Sequence, residues 1–246
     1  MSLRVSVVIP VLDDAAMLER CLHALERQTR RPDEIVVVDN GCIDDSASVA
    51  RRFGARVVAE PRRGITAASA HGFDAAVGDV IVRCDADSRV PRDWVERIER
   101  TLASSPKTVA VTGPATFYDL GRLSGAIARV LYISGYFVSM RAMLGHTVLF
   151  GSNCAVRADA WRAVSDSVPR DDSEIHDDMD LSYRLPATAQ VVYDRNLVVG
   201  ISGRPFDSFA VFWRRQVRAV HTLSLHLPTQ MPHRRWAVRW KQASAF

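Results

Sequence analysis

Two aspartates stand two residues apart in the run Val80-Ile81-Val82-Arg83-Cys84-Asp85-Ala86-Asp87-Ser88. On an extended chain such side chains point the same way. Both can therefore approach one divalent cation, directly or through a water, and small Ala86 leaves room for a ligand. Hard oxygen donors favour Mg2+ or Mn2+ bridged to a diphosphate. Taken alone the pair is a weak signal, because acidic loops follow many strands. A second acidic position, Asp39, closes the apolar run Ile35-Val36-Val37-Val38, with Asn40, Gly41, Asp44 and Asp45 behind it. A carboxylate there can accept from a base N–H. The plain alternative is an Asx-turn into a helix at Ser46, which accounts for Asp44 and Asp45 better than for Asp39. A third cluster, Glu174-Ile175-His176-Asp177-Asp178-Met179-Asp180-Leu181, crowds carboxylates at one helix start. The helix dipole favours negative charge there, and N-capping explains some of it. Crowding also raises the pKa of one member, as a general base requires.

These positions need a frame, and the first half of the chain supplies one. Strands are predicted at Val5–Val11, Glu34–Val38, Arg56–Ala59, Val80–Arg83 and Thr108–Thr112. Between them lie helices: one capped by Asp13 and Asp14, one from Ser46, one over Gly64–Val77 and one from about Arg92 to Ala103. Strands alternating with helices of this length imply right-handed βαβ units and a mainly parallel sheet in an α/β domain. Ligands of such sheets bind at the carboxyl ends of the strands, where Asp13, Asp39, Asp85 and Asp87 fall. The second half predicts a long apolar helix at Gly121–Leu144 and a short strand before the Gly151-Ser152-Asn153 turn. A strand through Arg157 and a helix near Ala158–Val164 follow. Strands at Gln190–Tyr193 and Leu197–Ile201 then lead into a helix from Asp207 to about Leu225. One domain over 1–227 and a basic, Trp-containing tail over 228–246 are expected.

Composition narrows the function classes. Of the 246 residues, 48% are hydrophobic and 24% charged, enough for a sizeable core and unlike a disordered chain. The net charge is +4, and nearly all the cations are arginine, the lysines being Lys107 and Lys241. Arginine suits phosphate through its planar fork of donors. The basic residues are dispersed and carry no nucleic-acid motif, so no nucleic-acid partner is expected. Cys21, Cys42, Cys84 and Cys154 form no C-x-x-C pair, which disfavours a zinc or disulfide framework and suits a reducing cytosol. The apolar run at Val5–Leu12 reads as a strand rather than a signal peptide. No stretch reaches ~18 uninterrupted apolar residues, so no transmembrane helix is expected.

Together the segments resemble family 2 glycosyltransferases of the GT-A, Rossmann-like fold, over roughly residues 3–220. Pro10-Val11-Leu12-Asp13-Asp14 is similar to that family's opening, where Asn-Glu is more usual. Val38-Asp39-Asn40-Gly41-Cys42-Ile43-Asp44-Asp45-Ser46 resembles its nucleotide-binding segment. Gly64, Ala68, Gly72, Gly78-Asp79 and Asp85-Ala86-Asp87 follow its central pattern. Gly151-Ser152-Asn153-Cys154-Ala155-Val156-Arg157 is similar to its acceptor-side turn, and His176-Asp177-Asp178-Met179-Asp180-Leu181 to its Glu-Asp motif, with Asp177 in place of Glu. Ala70 departs from a usual Asn. Trp213-Arg214-Arg215-Gln216-Val217-Arg218 only partly echoes the Gln-x-x-Arg-Trp motif of processive synthases, which favours transfer of a single sugar.

The resemblance implies a metal-dependent, inverting transfer from a UDP- or GDP-linked sugar to an acceptor hydroxyl. Pro10, Leu12, Asp13, Asp39, Gly64, Asp85 and Ala86 would bind the nucleotide sugar, aided by Arg62 or Arg63. Asp87 would be the main ligand for Mn2+ or Mg2+, with Asp85, and a histidine is a frequent further ligand: His221 ranks ahead of His226. Gly151, Ser152 and Asn153 would face the acceptor, and Asp178, beside Asp177, would be the base. The apolar helix at Gly121–Leu144 could form a groove for a lipid-linked acceptor or meet a bilayer. Trp236 and Trp240, among Arg234, Arg235, Arg239 and Lys241, suit an interfacial helix; the plain alternative for both segments is ordinary core packing or a dimer contact. The expected location is the cytoplasm, with peripheral contact at the inner face of the membrane. Two rivals remain. A sugar-nucleotide nucleotidyltransferase would carry a glycine-rich basic signature where Val11-Leu12-Asp13-Asp14 stands. A non-catalytic binding module of the same fold sits poorly with intact Asp39, Asp85, Asp87 and Asp178.

Overall fold

Strand β1 (Val5–Val11) is buried at all seven positions, as a strand covered on both faces must be. It pairs in parallel with β2 (Glu34–Asp39) over Ser6–Val11 and with β4 (Val80–Arg83) over Val5–Val8 only. Pro10 thus lies beyond the β4 pairing, where one side of β1 is open and a missing N–H costs no rung. The computed structural model describes residues 2–244 and completes a seven-stranded sheet in the order β3-β2-β1-β4-β7-β5-β8. Here β3 is Arg56–Ala59, β5 Thr108–Thr112, β7 Cys154–Arg157 and β8 Gln190–Tyr193. Every pairing is parallel except those of β7, which runs antiparallel to both β4 and β5. A small parallel sheet of β6 (Ala115–Phe117) and β9 (Val199–Ile201) stands apart.

Helices α1 (Ala15–Glu26), α2 (Ser46–Arg52), α3 (Ile65–Ala75) and α4 (Trp94–Ser104) cover the first half. In α1 the buried Leu18, Cys21, Leu22 and Leu25 recur at helical spacing. Asp13 and Asp14 do not cap it through their side chains. Asp44, from the loop after β2, accepts from Ala15 N at 2.9 Å and does that work. Helix α3 approaches the sheet so closely that a Cβ on Gly72 would lie 2.4 Å from Val8 Cγ1 and 2.7 Å from Val38 Cγ2.

The second half departs more from expectation. No strand precedes Gly151, although Thr147, Val148 and Leu149 are buried there, and the β6–β9 pair was not foreseen. Helix α5 (Arg122–Ala128), a π-helical stretch (Arg129–Ser134) and α6 (Gly135–Leu144) follow one another without a break. This 23-residue helix matches the long apolar helix expected at Gly121–Leu144, and by length and composition alone it could cross a membrane. Its most apolar 18-residue window has a mean hydropathy of 1.3, and 17% of it is buried. Arg129, Ser134 and Gly135 interrupt its apolar run. After β7 come α7 (Ala158–Arg162), α8 (Asp177–Arg184), α9 (Phe209–His226) and α10 (Pro232–Ala243). Helix α10 docks against α6 through buried Arg235, which donates to the Leu144, Tyr183 and Leu185 carbonyls at 2.7, 3.0 and 3.1 Å. Gly72→Ala should lower stability by about 1–3 kcal/mol in urea unfolding. Unchanged stability would mean that α3 can lift off the sheet without loss.

Candidate active site

The carboxyl end of β4 delivers a buried arginine to a cluster of acids. Arg83, 4% exposed, places Nη2 2.9 Å from Asp85 Oδ1 and Nη1 2.6 Å from Asp177 Oδ2. The guanidinium thus joins the Asp-x-Asp loop to the first residue of α8. Burial pushes the Asp177 carboxyl upward, Arg83 pulls it back and Asp178 adds to the rise. The crowded carboxyl that is shifted up is therefore Asp177, for desolvation first and neighbouring charge second.

The turn at Gly151 ties the same parts together. Gly151 N donates to Asp178 Oδ2 at 2.8 Å, and Ser152 Oγ donates to Asp85 Oδ2 at 2.5 Å. Met179 N caps the other Asp178 oxygen at 2.8 Å. A Cβ on residue 151 would sit 2.2 Å from Arg83 Nη1, so only glycine fits beside the guanidinium. Asn153 is fully buried: Trp94 Nε1 donates to its Oδ1 at 2.8 Å, and its amide donates to Leu197 O and Pro114 O. It holds the turn and does not face an acceptor, contrary to expectation.

Asp87 has a different partner. Arg204 Nη2 lies 2.8 Å from Asp87 Oδ2 and 2.5 Å from Asp14 Oδ2. Burial raises the Asp87 carboxyl, Asp85 raises it further and Arg204 opposes the shift. Ala86, between the two acids, is buried at 6% exposure. His221 does not join them: its Nε2 lies 2.7 Å from Asp172 Oδ2. His226 is a core residue, 2.8 Å from buried Asp180 and stacked on Tyr183. Among the described residues, the group of three ligand atoms within 4.8 Å of one another is Asp13, Cys42 and Asp44. Asp85, Asp87 and His221 therefore form no ready three-ligand cage.

At the ends of β1 and β2 lie the residues expected at the nucleoside. Leu12 is 44% exposed, and Asp13 adopts a φ of +50° while its carboxylate accepts from Ile43 N at 2.7 Å. Pro10 is buried within β1. Asp44 Oδ1 accepts from Ser46 N at 3.0 Å, the expected Asx-turn into α2, and Asp39 Oδ1 makes a turn of its own, accepting from Gly41 N and Cys42 N at 3.1 and 2.8 Å. Asn40 pins the loop after β3: its amide donates to Glu60 O and Arg62 O, and its oxygen accepts from Gly64 N. Arg62 forks onto Glu60 at 2.9 and 3.0 Å, while Arg63 reaches Gly41 O at 3.3 Å.

Three arginines escaped the sequence reading. Arg83 carried a legible signal, a charge inside an otherwise apolar four-residue strand. Arg204 pairs with Asp87 across 117 positions and left none. Arg215 belonged to the partial motif after Trp213. It donates to Tyr132 OH at 3.2 Å and feels the charges of Asp85 and Asp178. Arg83→Met should cost about 3–5 kcal/mol at neutral pH, because two carboxylates lose a buried counter-charge. The deficit should be smaller at a second, lower pH, because burial holds the Asp177 carboxyl upward and its protonated form no longer needs that charge. Urea unfolding at both pH values checks this, and a variant as stable as the parent would refute the pairing's importance.

Comparison with known proteins then gives this geometry a family. The profile of glycosyl transferase family 2 matches residues 6–163. Glycosyltransferase AglE of Haloferax volcanii is 30% identical over 109 residues, covering 41% of this chain and 36% of that protein. Putative glycosyltransferase EpsH of Bacillus subtilis is 28% identical over 123 residues, covering 48% and 36%. The matched segment thus spans little more than a third of either relative. Mannosyltransferase PcManGT from Pyrobaculum calidifontis, solved with GDP-Man and Mn2+, superposes with a TM-score of 0.72 at 21% identity, over 93% of this chain and 65% of that one. Glucosyl-3-phosphoglycerate synthase from Mycobacterium tuberculosis, solved with Mn2+, UDP and glucosyl-3-phosphoglycerate, gives 0.62 at 21% identity, over 89% and 80%. At such identity the likeness establishes the GT-A fold alone. With more than half of its length matched by the family profile, the chain belongs to glycosyl transferase family 2.

Proposed function

We propose that the chain transfers one sugar from a UDP- or GDP-linked donor to an acceptor hydroxyl, with inversion and without processive polymerisation. The catalytic domain would span 1–227, with 228–246 a tail whose helix α10 docks on it. The observation that carries this reading is the convergence of Asp85, Asp177 and Asp178 around Arg83 and the Gly151 turn. Asp87 and Asp85 are hard-oxygen donors, and Asp87 is raised first by burial and then by the charge of Asp85, both of which a dication would offset, so the residues fit Mn2+ or Mg2+. When bound, that cation would supply positive charge to the departing diphosphate. Arg204, now paired with Asp87, is in reach to exchange that partner for a phosphate oxygen. Asp13 and Asp39 border the nucleoside end, and Arg62 and Arg63 the loop over the donor.

Asp178 would take the acceptor proton. Its two oxygens accept from Gly151 N and Met179 N, which fixes the carboxylate while leaving lone pairs available. Asp177 is engaged by Arg83 and suits a positioning role better. As the proton leaves, the acceptor oxygen bonds to the anomeric carbon, and the bond from that carbon to the diphosphate oxygen breaks. The nucleoside diphosphate then carries away the electron pair. The acceptor would meet the donor beside Gly151 and Ser152, under Tyr136, whose hydroxyl is held up in pKa by burial and by the charges of Asp178 and Asp177. Asp178→Asn should reduce transfer by about 10²–10⁴-fold while nucleotide binding, followed by calorimetry, stays within a few fold. Retained turnover would remove Asp178 from the role.

A further inference from the structure

Helices α9 and α10 both lie against the continuous Arg122–Leu144 helix. Arg215 and Phe212 of α9 meet Tyr132, and Trp236 Nε1 of α10 donates to Ala142 O at 2.7 Å. The inner face of the long helix packs into the core through Ile133, Phe137, Met140 and Leu144, all under 9% exposed. Elsewhere it presents Leu123, Ile127, Val130, Leu131 and Val138 to the outside, each more than half exposed. Ala126, Ile127, Val130 and Leu131 line a shallow apolar groove. Helix α9 adds Phe209 and Trp213, whose rings stack at 6.2 Å, and Val220; α10 adds Trp240. An apolar surface on this scale marks a contact with something.

Charge identifies the partner. The chain has 32 Lys and Arg and 28 Asp and Glu. The segments Arg122–Leu144, Phe209–His226 and Pro232–Ala243 hold ten of the cations and none of the acids; Arg235 is buried and Arg214 is paired with Glu174, which leaves eight for a partner. A second copy of the chain would oppose cations to cations. An anionic bilayer would take the apolar side chains into its interface and the arginines among its headgroups, with exposed tryptophans at the boundary. The geometry points to these three helices as a docking surface for anionic phospholipid membranes, on which the chain lies rather than spans. Spanning would strip Ile133, Phe137, Met140 and Leu144 from the core, exposing four large side chains to gain lipid contact that the outer face already provides.

The surface adjoins the catalytic cleft. Tyr136, on the same long helix, donates to Leu149 O at 3.2 Å, close before the Gly151 turn, and the Arg215 carbonyl of α9 lies 3.0 Å from His176 Nε2, next to Asp177. If the transferase reading holds, on which this last step rests, the docked site opens at the membrane and takes an acceptor carried in the bilayer.

Flotation of the full chain with vesicles tests the surface. It should float with phosphatidylcholine containing about a third phosphatidylglycerol, and at least about tenfold less with phosphatidylcholine alone. Leu131→Glu with Val138→Glu should abolish flotation, and both sites are exposed enough to leave the fold intact. Calorimetric nucleotide binding by the same variant should match the parent, showing that it is folded. No flotation of the parent on anionic vesicles would overturn the proposal, as would equal flotation of the variant. So would a lipid-free dimer that the two substitutions dissolve, since the face would then join two copies. Nucleotide binding without flotation would sink the surface and leave the transferase reading standing; flotation without nucleotide binding would do the reverse.

Discussion

Arg83 is a guanidinium inside a protein core, and a charge so placed must be answered locally. Asp85 and Asp177 answer it from opposite sides, one at the end of a strand and the other at the start of a helix. Asp177, with its side chain 13% exposed, could not sit there alone without a large desolvation cost. The pairing therefore ties the Asp85-Ala86-Asp87 loop to the start of α8. It also dictates a neighbour, because Gly151 must lack a side chain for the guanidinium to fit. Having no Cβ, residue 151 can bring its N–H to Asp178, and the adjacent Ser152 its hydroxyl to Asp85.

Around this centre the cleft holds two balances of charge. The inner one, Arg83 with Asp85 and Asp177, is closed and belongs to the scaffold. The outer one, Arg204 with Asp14 and Asp87, is half-exposed and can be exchanged. A cation or a diphosphate arriving at Asp87 has to displace only the second. Rigid support beneath and exchangeable charge above is what a site that binds and releases a doubly charged leaving group requires. The long Arg122–Leu144 helix and α9 form the rim of the same cleft. Their tyrosine and arginine side chains turn towards the acids, and their apolar side chains turn away from the domain.

Much of this frame was readable from residue order. The strands β1, β2 and β4 are apolar runs too short for helices, and their acids fall where a parallel sheet binds ligands. Asp85 and Asp87 were singled out that way, and Asp178 by its resemblance to the family's Glu-Asp motif. What escaped depends on contacts far apart in sequence. Asp14 and Asp87 share Arg204, and Asp44 caps a helix that begins before it in the chain; neither has a spacing to read. Asn153 looked like a polar turn residue open to substrate, yet its amide answers Trp94, Pro114 and Leu197 in the interior. His221 looked like a ligand from its helix alone, and Asp172 holds it instead. The tail read as a basic, Trp-bearing helix with Arg235 among its lipid-facing cations, yet Arg235 is buried and donates to the Leu144 carbonyl.

The most direct measurement is calorimetric titration of UDP, GDP and their sugars, with and without Mn2+, into the parent chain and Asp87→Ala. The account predicts binding of one base that strengthens at least about tenfold with Mn2+ in the parent, and no Mn2+ effect in the variant. A well-folded parent chain that binds no nucleotide under any of these conditions would contradict it.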